Sequence, residues 1–204
     1  MASKVSKDKE IIDTLHDYGI HIPTRTIWLE SSQGDEGGED GVNYSMFVTF
    51  HKNMSLLEHI SSEPITIIMN TGGGVVTDGM AIYDTIRASS CDITIKVVGI
   101  AMSMGCIVLQ SADHRVLTPN ARVMFHLGSG HSHGNHIYEA YNAVADDIKQ
   151  AKKIDLIMFN RMKQKKGDKF TMKKYKELDY NGKFMDAEEA IAIGLADEIE
   201  YPPD

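Results

Sequence analysis

Apolar residues along this chain recur in two patterns, which predict alternating strands and helices. Short, nearly continuous apolar runs such as 65–69 are typical of strands covered on both faces of a sheet. Apolar residues three or four positions apart, as in 42–59, are typical of helices that pack on a sheet. The pattern therefore predicts an α/β fold. Strands are predicted at 26–29, 65–69, 92–98, 115–117, 122–126 and 184–185, and helices within 1–19, 42–59, 77–88, 137–166 and 186–195, with a further helix after 103.

Two of the predicted strands end in loops of unusual composition. Asn70–Gly74 places three glycines directly after a buried strand, so its backbone either turns sharply or lies very close to other atoms. The next strand leads into Ser103, whose hydroxyl stands where a strand gives way to a helix, and the strand 122–126 ends at His126. Since sites form at the carboxyl ends of strands in α/β sheets, we expect Gly73, Ser103 and His126 to share one edge of the sheet.

Each of these residues also has a purely structural interpretation. Ser103 is a good helix N-cap residue, three glycines form an ordinary tight turn, and a histidine at a strand end is usually structural. The glycines do not match a phosphate-binding loop, because neither Gly-x-Gly-x-x-Gly nor Gly-Lys-Ser/Thr is present. A serine beside a histidine and exposed backbone N–H groups forms a nucleophile with an oxyanion site. Which interpretation holds depends on whether these residues meet in space.

Composition narrows the classes of function. The chain has 204 residues, 42% hydrophobic and 25% charged, which is typical of one globular domain. Its net charge of -8 argues against a nucleic-acid binder, because phosphate contacts need a basic surface. No apolar run approaches the ~20 residues of a membrane span, and the polar, lysine-rich segment 1–10 lacks the apolar core of a signal peptide. We therefore expect a cytoplasmic protein without a membrane partner, and Cys91 and Cys106 as buried free thiols.

Two polar segments are candidates for metal sites. Residues 31–41 contain no apolar side chain and several acidic ones, but their order does not match a calcium loop. His131, His133 and His136 lie in a glycine-rich stretch without a cysteine or carboxylate at ligand spacing. We therefore expect a solvated acidic loop, a mobile histidine-rich loop and no metal.

Motifs in the middle of the chain resemble those of the proteolytic subunit of the Clp protease family. Asn-Thr-Gly-Gly-Gly at 70–74, followed by Gly-Met-Ala-Ile-Tyr-Asp at 79–84, resembles that family's Asn-Ser-Pro-Gly-Gly loop and the helix after it. Ala-Met-Ser-Met-Gly at 101–105 resembles its Ala-Ser-Met-Gly nucleophile segment, and Met-Phe-His at 124–126 its Met-Ile-His segment.

The C-terminal part of the chain continues the resemblance. Ala-Glu-Glu-Ala at 187–190 and Gly-Leu-Ala-Asp at 194–197 resemble the family's C-terminal motifs, so the match extends from about 65 to 199. Asp186 is the predicted N-cap of the helix at 186–195, with Glu189 at the capping-box position and Gly194 at its end. The N-terminal third matches poorly, and its acidic loop resembles the versions of this protein carried by tailed phages more than the bacterial housekeeping versions.

The resemblance implies catalytic roles for four positions. Ser103 is the implied nucleophile and His126 the implied general base, while the backbone N–H groups of Gly73 and Met104 are the implied oxyanion hole. These roles agree with the chemistry of acyl transfer, because a serine is inert without a base and the tetrahedral intermediate needs preorganised donors.

At the position of the third triad member the chain differs from the family. The family places an aspartate two residues before the aromatic residue of the last small strand, and here Gly182 stands two residues before Phe184. Asp179 is the first candidate to take this role, through a turn after it, and Asn181 is the alternative; the absence of any third member is also open. Loss of this orienting group lowers kcat by a factor on the order of 10⁴, so a weak or inactive peptidase is an alternative hypothesis.

The resemblance also implies an architecture and an assembly. The implied fold is the ClpP/crotonase-like spiral of ββα units. Residues 1–25 are an N-terminal segment that is either mobile or in contact with another subunit, and 26–200 form the peptidase domain. Within that domain 31–41 is the acidic loop, and 127–170, a glycine- and histidine-rich loop with a long helix, is the expected ring-contact handle.

The implied partners are copies of the chain itself and an AAA+ unfoldase. The copies form heptameric rings that stack as tetradecamers, and the unfoldase uses ATP to feed them unfolded polypeptides, so the subunit itself needs no cofactor. The first hypothesis is therefore an ATP-dependent Clp-type serine endopeptidase subunit. The alternative is a weak or inactive ring subunit that assembles with or modulates an active homologue. A crotonase-like acyl-CoA enzyme would need a carboxylate acid/base pair, and no such pair stands out in the sequence.

Overall fold

A computed structural model describes residues 4–31, 41–126, 136–178 and 182–202. Helices and strands alternate along most of this part of the chain, as the apolar pattern predicts. The helices are α1 (Lys4–Tyr18), α2 (Tyr44–Ile60), α3 (Val76–Arg87), α4 (Met104–Leu109), α5 (Ile137–Lys166), α6 (Met172–Lys176) and α7 (Ala187–Ile193). The strands are β1 (Ile20–His21), β2 (Thr26–Glu30), β3 (Ile65–Thr71), β4 (Ile93–Met102), β5 (His114–Leu117), β6 (Arg122–Met124), β7 (Phe184–Met185) and β8 (Glu198–Ile199).

One mixed sheet carries the fold, and β4 is its longest strand. The hydrogen-bonded order is β1-β2-β3-β4-β5-β8, in which β2, β3, β4, β5 and β8 are parallel and β1 is antiparallel to β2. The first half of β4 pairs with β5, and its second half pairs with β6, which in turn is antiparallel to β7. The carboxyl ends of β3, β4 and β6 therefore lie next to one another.

A change of register between β3 and β4 marks the point where β4 changes partners. Met69 pairs with Val97, whereas Thr71 pairs with Ala101, so the ladder shifts between them. The Asn70 side chain fills the gap: its Oδ1 accepts the Ile100 N–H at 3.1 Å. This hydrogen bond holds the ends of β3 and β4 in a fixed relative position. The loops that follow the two strands are therefore also fixed relative to each other.

The inner face of the sheet forms most of the core. The β3 residues Ile65, Ile67 and Met69 are fully buried, whereas Thr66 and Ile68 on the opposite face are only half-buried. The expectation that this strand is covered on both faces is therefore wrong for the single chain. The continuous apolar run reflects a second face that the helices of one chain leave partly open.

Helix ends follow local sequence rules. Gly19 ends α1 with a φ of 61° and donates its N–H to the Leu15 carbonyl at 3.0 Å. At the start of α7, the Asp186 carboxylate accepts the Glu189 N–H at 2.8 Å, and the Glu189 side chain returns the bond. Both predicted boundaries are confirmed. The Asp186 carboxylate is therefore used as the N-cap of α7.

The long helix α5 is only partly packed on the core. Its second half buries Met158 and Met162. In its first half, in contrast, Tyr141, Val144 and Ile148 are exposed, although their spacing predicts an inward face. The helix extends beyond the body of the chain, so this apolar stripe has nothing to pack against among the described residues.

Both cysteines are free and buried, as expected from the composition. Cys106 lies in the first turns of α4, where burial raises the pKa of its thiol to about 12. It is therefore a neutral packing residue at neutral pH.

A buried arginine joins the C-terminal part of the chain to the sheet. Arg115 is 3% exposed and donates two hydrogen bonds to the Asp197 carboxylate at 2.6 and 2.9 Å. It also donates to the Gln110 side chain at 2.6 Å and to the Gly194 carbonyl at 3.0 Å. This network fastens the end of α7 and the start of β8 beside β5.

Replacing Arg115 by methionine is expected to lower the free energy of unfolding by about 3 kcal/mol, because the Asp197 carboxylate keeps only the backbone N–H of residue 115 and the buried oxygens of Gln110 and Gly194 lose their donor. Arg87→Met is the matched control. Arg87 contacts Asp113 at 3.7 Å with both side chains about half exposed and donates one hydrogen bond to the Ser111 carbonyl at 3.3 Å, so its loss is expected to cost about 1 kcal/mol. Urea denaturation at one protein concentration measures both variants. Equal losses for the two variants would contradict this account of Arg115.

The same variant changes the pH dependence of stability. Burial disfavours the ionised Asp197, but the hydrogen bonds and charge of Arg115 outweigh it and hold the pKa of Asp197 below its ordinary value. A carboxyl with a lowered pKa in the folded state adds stability above its unfolded pKa of about 3.9, and this stability is lost as the pH falls through the folded value. The difference between wild type and Arg115→Met therefore shrinks below about pH 4.

Candidate active site

Ser103 occupies a strained turn between β4 and α4. Its φ of 51° and ψ of -120° are unusual for a residue with a β-carbon, and among the described non-glycine residues only Arg25 also has a positive φ. Such a backbone costs of order 1–3 kcal/mol and persists only where its surroundings fix it. Here the Ser103 N–H donates to the Met124 carbonyl at 2.8 Å. The turn is therefore held by β6, the strand that precedes His126.

The Ser103 side chain makes no capping bond to α4, although the residue occupies the N-cap position. Its Oγ lies instead 2.7 Å from Nε2 of His126. When Nε2 carries no proton, the serine hydroxyl donates to it. The structure thus brings together a hydroxyl and an imidazole that are 23 residues apart in sequence, both half-buried. A nucleophile within hydrogen-bond reach of a base is the geometry that serine hydrolysis requires.

The glycine loop lies directly against this turn. A β-carbon on Gly73 would stand 2.7 Å from the Met102 carbonyl oxygen and the Ser103 Cβ, and 2.8 Å from the Met104 nitrogen. The φ of Gly73 is 97°, which also disfavours any other residue. On its other side the loop pairs with Val42, whose N–H donates to the Gly73 carbonyl at 2.8 Å. The three glycines therefore serve a close approach of backbone to backbone.

Of the two N–H groups predicted to form an oxyanion site, one is free and the other is engaged. Met104 is the first residue of α4, and its N–H has no partner among the residues that the structure describes. The Gly73 N–H, in contrast, donates to Thr71 Oγ1 at 3.1 Å. Gly73 is therefore placed as predicted, but its N–H is not the free donor that the sequence interpretation assumed.

Sequence reasoning missed the role of Thr71 in the loop. A threonine that accepts the N–H two residues on forms a common side-chain turn, and Thr71 stands two residues before Gly73. This spacing was the available sign that the Gly73 N–H is used locally. The next residue of the loop, Gly74, is exposed. Its N–H donates to no other residue in the described part of the chain.

The segment before β7 reaches the site beside His126. Gly182 donates its N–H to the carbonyl of Phe125, the residue before His126, at 2.6 Å. A β-carbon on Gly182 would meet none of the described residues within 4 Å. Asp179 and Asn181, the two candidates for the third triad member, lie outside the described residues, and their roles stay predictions.

A metal site of three side chains and a membrane-spanning helix are both absent from the ranges 4–31, 41–126, 136–178 and 182–202. No group of three histidine, cysteine, aspartate or glutamate side chains within them is arranged to hold a metal ion. His131 and His133, like most of the acidic loop, lie outside these ranges. None of the helices in this part of the chain combines the length and the apolar character that crossing a bilayer requires.

Comparison with known proteins agrees with the site geometry. The family described as Clp protease matches residues 39–202 of the chain. The chain belongs to the Clp protease family. A curated relative, the ATP-dependent Clp protease proteolytic subunit 1 of Leifsonia xyli subsp. xyli, is 31% identical over 183 residues, which cover 87% of this chain and 84% of that protein. In general terms the chain is thus a ClpP-like serine peptidase subunit.

A solved structure supports the fold. A mutant ClpP1 from Listeria monocytogenes superposes with a TM-score of 0.73, covering 90% of this chain and 95% of that one at 24% identity. At this identity the likeness concerns the fold alone. The predicted ClpP-like α/β fold is confirmed.

Proposed function

We propose that this chain is the serine-type endopeptidase subunit of a self-compartmentalised, ClpP-like protease, with Ser103 as nucleophile and His126 as general base. The observation that carries the proposal is the 2.7 Å contact between Ser103 Oγ and His126 Nε2, made from a turn with a positive φ. An N-cap serine would direct its hydroxyl to its own helix, and here the hydroxyl faces an imidazole instead.

The proposed reaction is ordinary acyl transfer. Ser103 Oγ forms a bond to the carbonyl carbon of the substrate while His126 Nε2 takes the hydroxyl proton. The C–N bond then breaks, and the leaving amine takes that proton from the imidazolium. A water molecule, deprotonated by His126, hydrolyses the acyl ester and restores the serine.

The negative charge on the substrate oxygen needs two backbone donors. The Met104 N–H at the start of α4 is the first proposed donor, because it bonds no other described residue and lies at the positive end of a helix. The glycine loop supplies the second. Gly73 is our proposed donor on the basis of its contact with Ser103, and it has to share its N–H with Thr71 or turn it towards the substrate during the reaction.

The orientation of His126 is the finer point of the proposal. Asp179, or Asn181 in its place, would accept the Nδ1 proton and fix the ring, as acidic and amide partners do in related catalytic triads. The bond from Gly182 to the Phe125 carbonyl supports this idea, since it ties the segment after these residues to the backbone beside His126.

The proposed setting is a ring of copies that works with an AAA+ unfoldase in the cytoplasm. The subunit itself uses no cofactor, because the unfoldase consumes the ATP. The exposed apolar first half of α5 supports a handle between rings, since it is the surface that assembly would cover. Residues 1–25 are the proposed N-terminal segment and 26–200 the peptidase domain.

A second candidate function rests on Gly182. If neither Asp179 nor Asn181 orients His126, the chain is a weak or inactive ring subunit that assembles with an active homologue. This alternative predicts a folded ring with little or no activity of its own.

A fluorophosphonate probe separates the two candidates. The active peptidase is expected to bind one probe molecule per subunit through a covalent bond to Ser103, identified by mass spectrometry of the labelled peptide. Ser103→Ala removes the label, and Ser55→Ala is the control, because Ser55 is exposed and its hydroxyl bonds only the His51 carbonyl of its own helix. A folded, assembled ring that takes no label would contradict the peptidase proposal and favour the inactive subunit.

A further inference from the structure

Thr71 is a fully buried polar residue at the centre of the site, and the acyl-transfer mechanism does not use it. It is the last residue of β3, with 0% of its surface exposed. Its Oγ1 accepts the Gly73 N–H at 3.1 Å and lies 2.6 Å from the Ser31 hydroxyl. A hydroxyl has one donor and two acceptor sites, so these two contacts satisfy it without water.

The methyl group of Thr71 makes a separate contact on the other side. A β-carbon on Gly105 would stand 2.6 Å from Thr71 Cγ2, so the methyl packs tightly on the first turn of α4. That turn carries Met104 and follows Ser103 directly. Thr71 is therefore wedged between the glycine loop and the start of α4.

Neighbouring backbone bonds keep Thr71 in place. It pairs with Ala101 of β4 just after the register shift, and the Ser31 N–H donates to the Asn70 carbonyl at 3.0 Å. The hydroxyl of Thr71 thus connects a fixed part of the sheet to the N–H of Gly73, whose carbonyl is held on the other side of the loop by the Val42 N–H.

We propose that Thr71 is a positioning residue, which uses its hydroxyl to hold the glycine loop at the correct distance from Ser103 and the Met104 N–H. Ser31 steadies that hydroxyl. The inference rests on the proposed peptidase function. Because the loop is proposed to interact with the oxyanion of the transition state, its misplacement affects kcat and leaves KM nearly unchanged.

Two substitutions at Thr71 separate the hydroxyl from the methyl. Thr71→Val keeps the methyl against Gly105 and removes the hydroxyl, so kcat is expected to fall about 10- to 100-fold, which is less than the loss of a whole oxyanion donor. Thr71→Ser keeps the hydroxyl and is expected to retain kcat within about 3-fold. Ser31→Ala leaves Thr71 bonded to Gly73 and is expected to lower kcat by less than about 10-fold.

Thr85→Val is the control for the same chemical change elsewhere. Thr85 is half-buried on α3, and its hydroxyl donates to the Ala81 carbonyl of its own helix at 2.8 Å. This variant is expected to keep wild-type kcat. The kinetics are measured on the purified 204-residue chain with a short peptide that carries an aminocoumarin leaving group, together with the melting temperature of each variant.

Hydrogen exchange gives a readout that does not depend on activity. Amide exchange in the peptide that covers Gly73 is expected to become faster in Thr71→Val and to stay slow in Thr71→Ser, as measured by mass spectrometry. Faster exchange, a lower kcat and an unchanged KM in Thr71→Val together support the inference.

The outcomes distinguish this inference from the function on which it rests. A wild type that cleaves the peptide and a Thr71→Val variant with equal or higher kcat would overturn the positioning role alone, and a higher kcat would mean that the Thr71 hydroxyl only withholds the Gly73 N–H from the substrate. A kcat loss in Thr71→Ser as large as that in Thr71→Val would also overturn it, because packing would then be the cause. A wild type that neither cleaves the peptide nor binds the probe overturns the proposed function, and the positioning role with it.

Discussion

Replacing His126 by glutamine is expected to lower kcat/KM for a short peptide by on the order of 10⁴- to 10⁶-fold. Glutamine has nearly the reach of histidine and can still hydrogen-bond Ser103, but it cannot take the hydroxyl proton. In the proposed mechanism His126, whose Nε2 lies 2.7 Å from Ser103 Oγ, is the base on which Ser103 depends. Steady-state hydrolysis and the rate of fluorophosphonate labelling measure the effect, and both are expected to fall.

His114→Gln is the matched control for this substitution. His114 is an exposed histidine of β5 whose Nε2 lies 3.0 Å from Glu198. Its replacement is expected to leave kcat/KM within about 2-fold of wild type, as is usual for exposed ion pairs away from a site. If His126→Gln kept a tenth or more of the wild-type activity, another group would have to be the base.

Replacing Gly73 by alanine is expected to lower kcat at least about 100-fold while the protein still folds and assembles. The added β-carbon would stand 2.7 Å from both the Met102 carbonyl oxygen and the Ser103 Cβ, closer than carbon atoms approach in proteins. The positive φ adds a cost of about 1–2 kcal/mol. The glycine loop has to move away from Ser103 and Met104, and the proposed oxyanion site opens. Hydrolysis kinetics and size-exclusion chromatography measure the two effects.

Gly167→Ala isolates the contribution of the backbone conformation. Gly167 ends α5 with a φ of 76°, and a β-carbon there would meet nothing within 4 Å. With a ψ of -175°, Gly167 lies in a backbone region that is essentially confined to glycine, so its substitution is expected to cost of order 1–3 kcal/mol of stability and no activity. A Gly73→Ala variant with wild-type kcat would mean that the close approach of loop and nucleophile has no catalytic role.

Local rules made much of this fold predictable. Gly19 and the Asp186–Glu189 pair mark helix ends because a cap depends on residues within one turn of itself. The approximate position of the site was also predictable, because the carboxyl ends of parallel strands lie at the same edge of a sheet. Ser103 and His126 meet at that edge, as their places after β4 and beside β6 suggested.

The features that sequence reasoning missed depend on contacts between distant segments. The exposure of Tyr141 and Ile148 depends on where the body of the chain ends along α5, which helical spacing does not contain. The hydrogen bond from the Gly73 N–H to Thr71 Oγ1 joins residues two positions apart. Its effect on the site depends on distant segments, because it occupies an N–H group that is proposed to bind the substrate oxygen. The register shift beside Asn70 likewise arises only when β3 and β4 pair.

The dependence of the Ser103 turn on β6 has a consequence for synthesis in the cell. The same short strand supplies the carbonyl that anchors this turn and leads directly into His126. A growing or half-folded copy in which that strand has not yet docked thus lacks an anchored nucleophile and a nearby base at the same time. With the roles proposed for Ser103 and His126, a newly made subunit gains peptidase activity only when the sheet is complete.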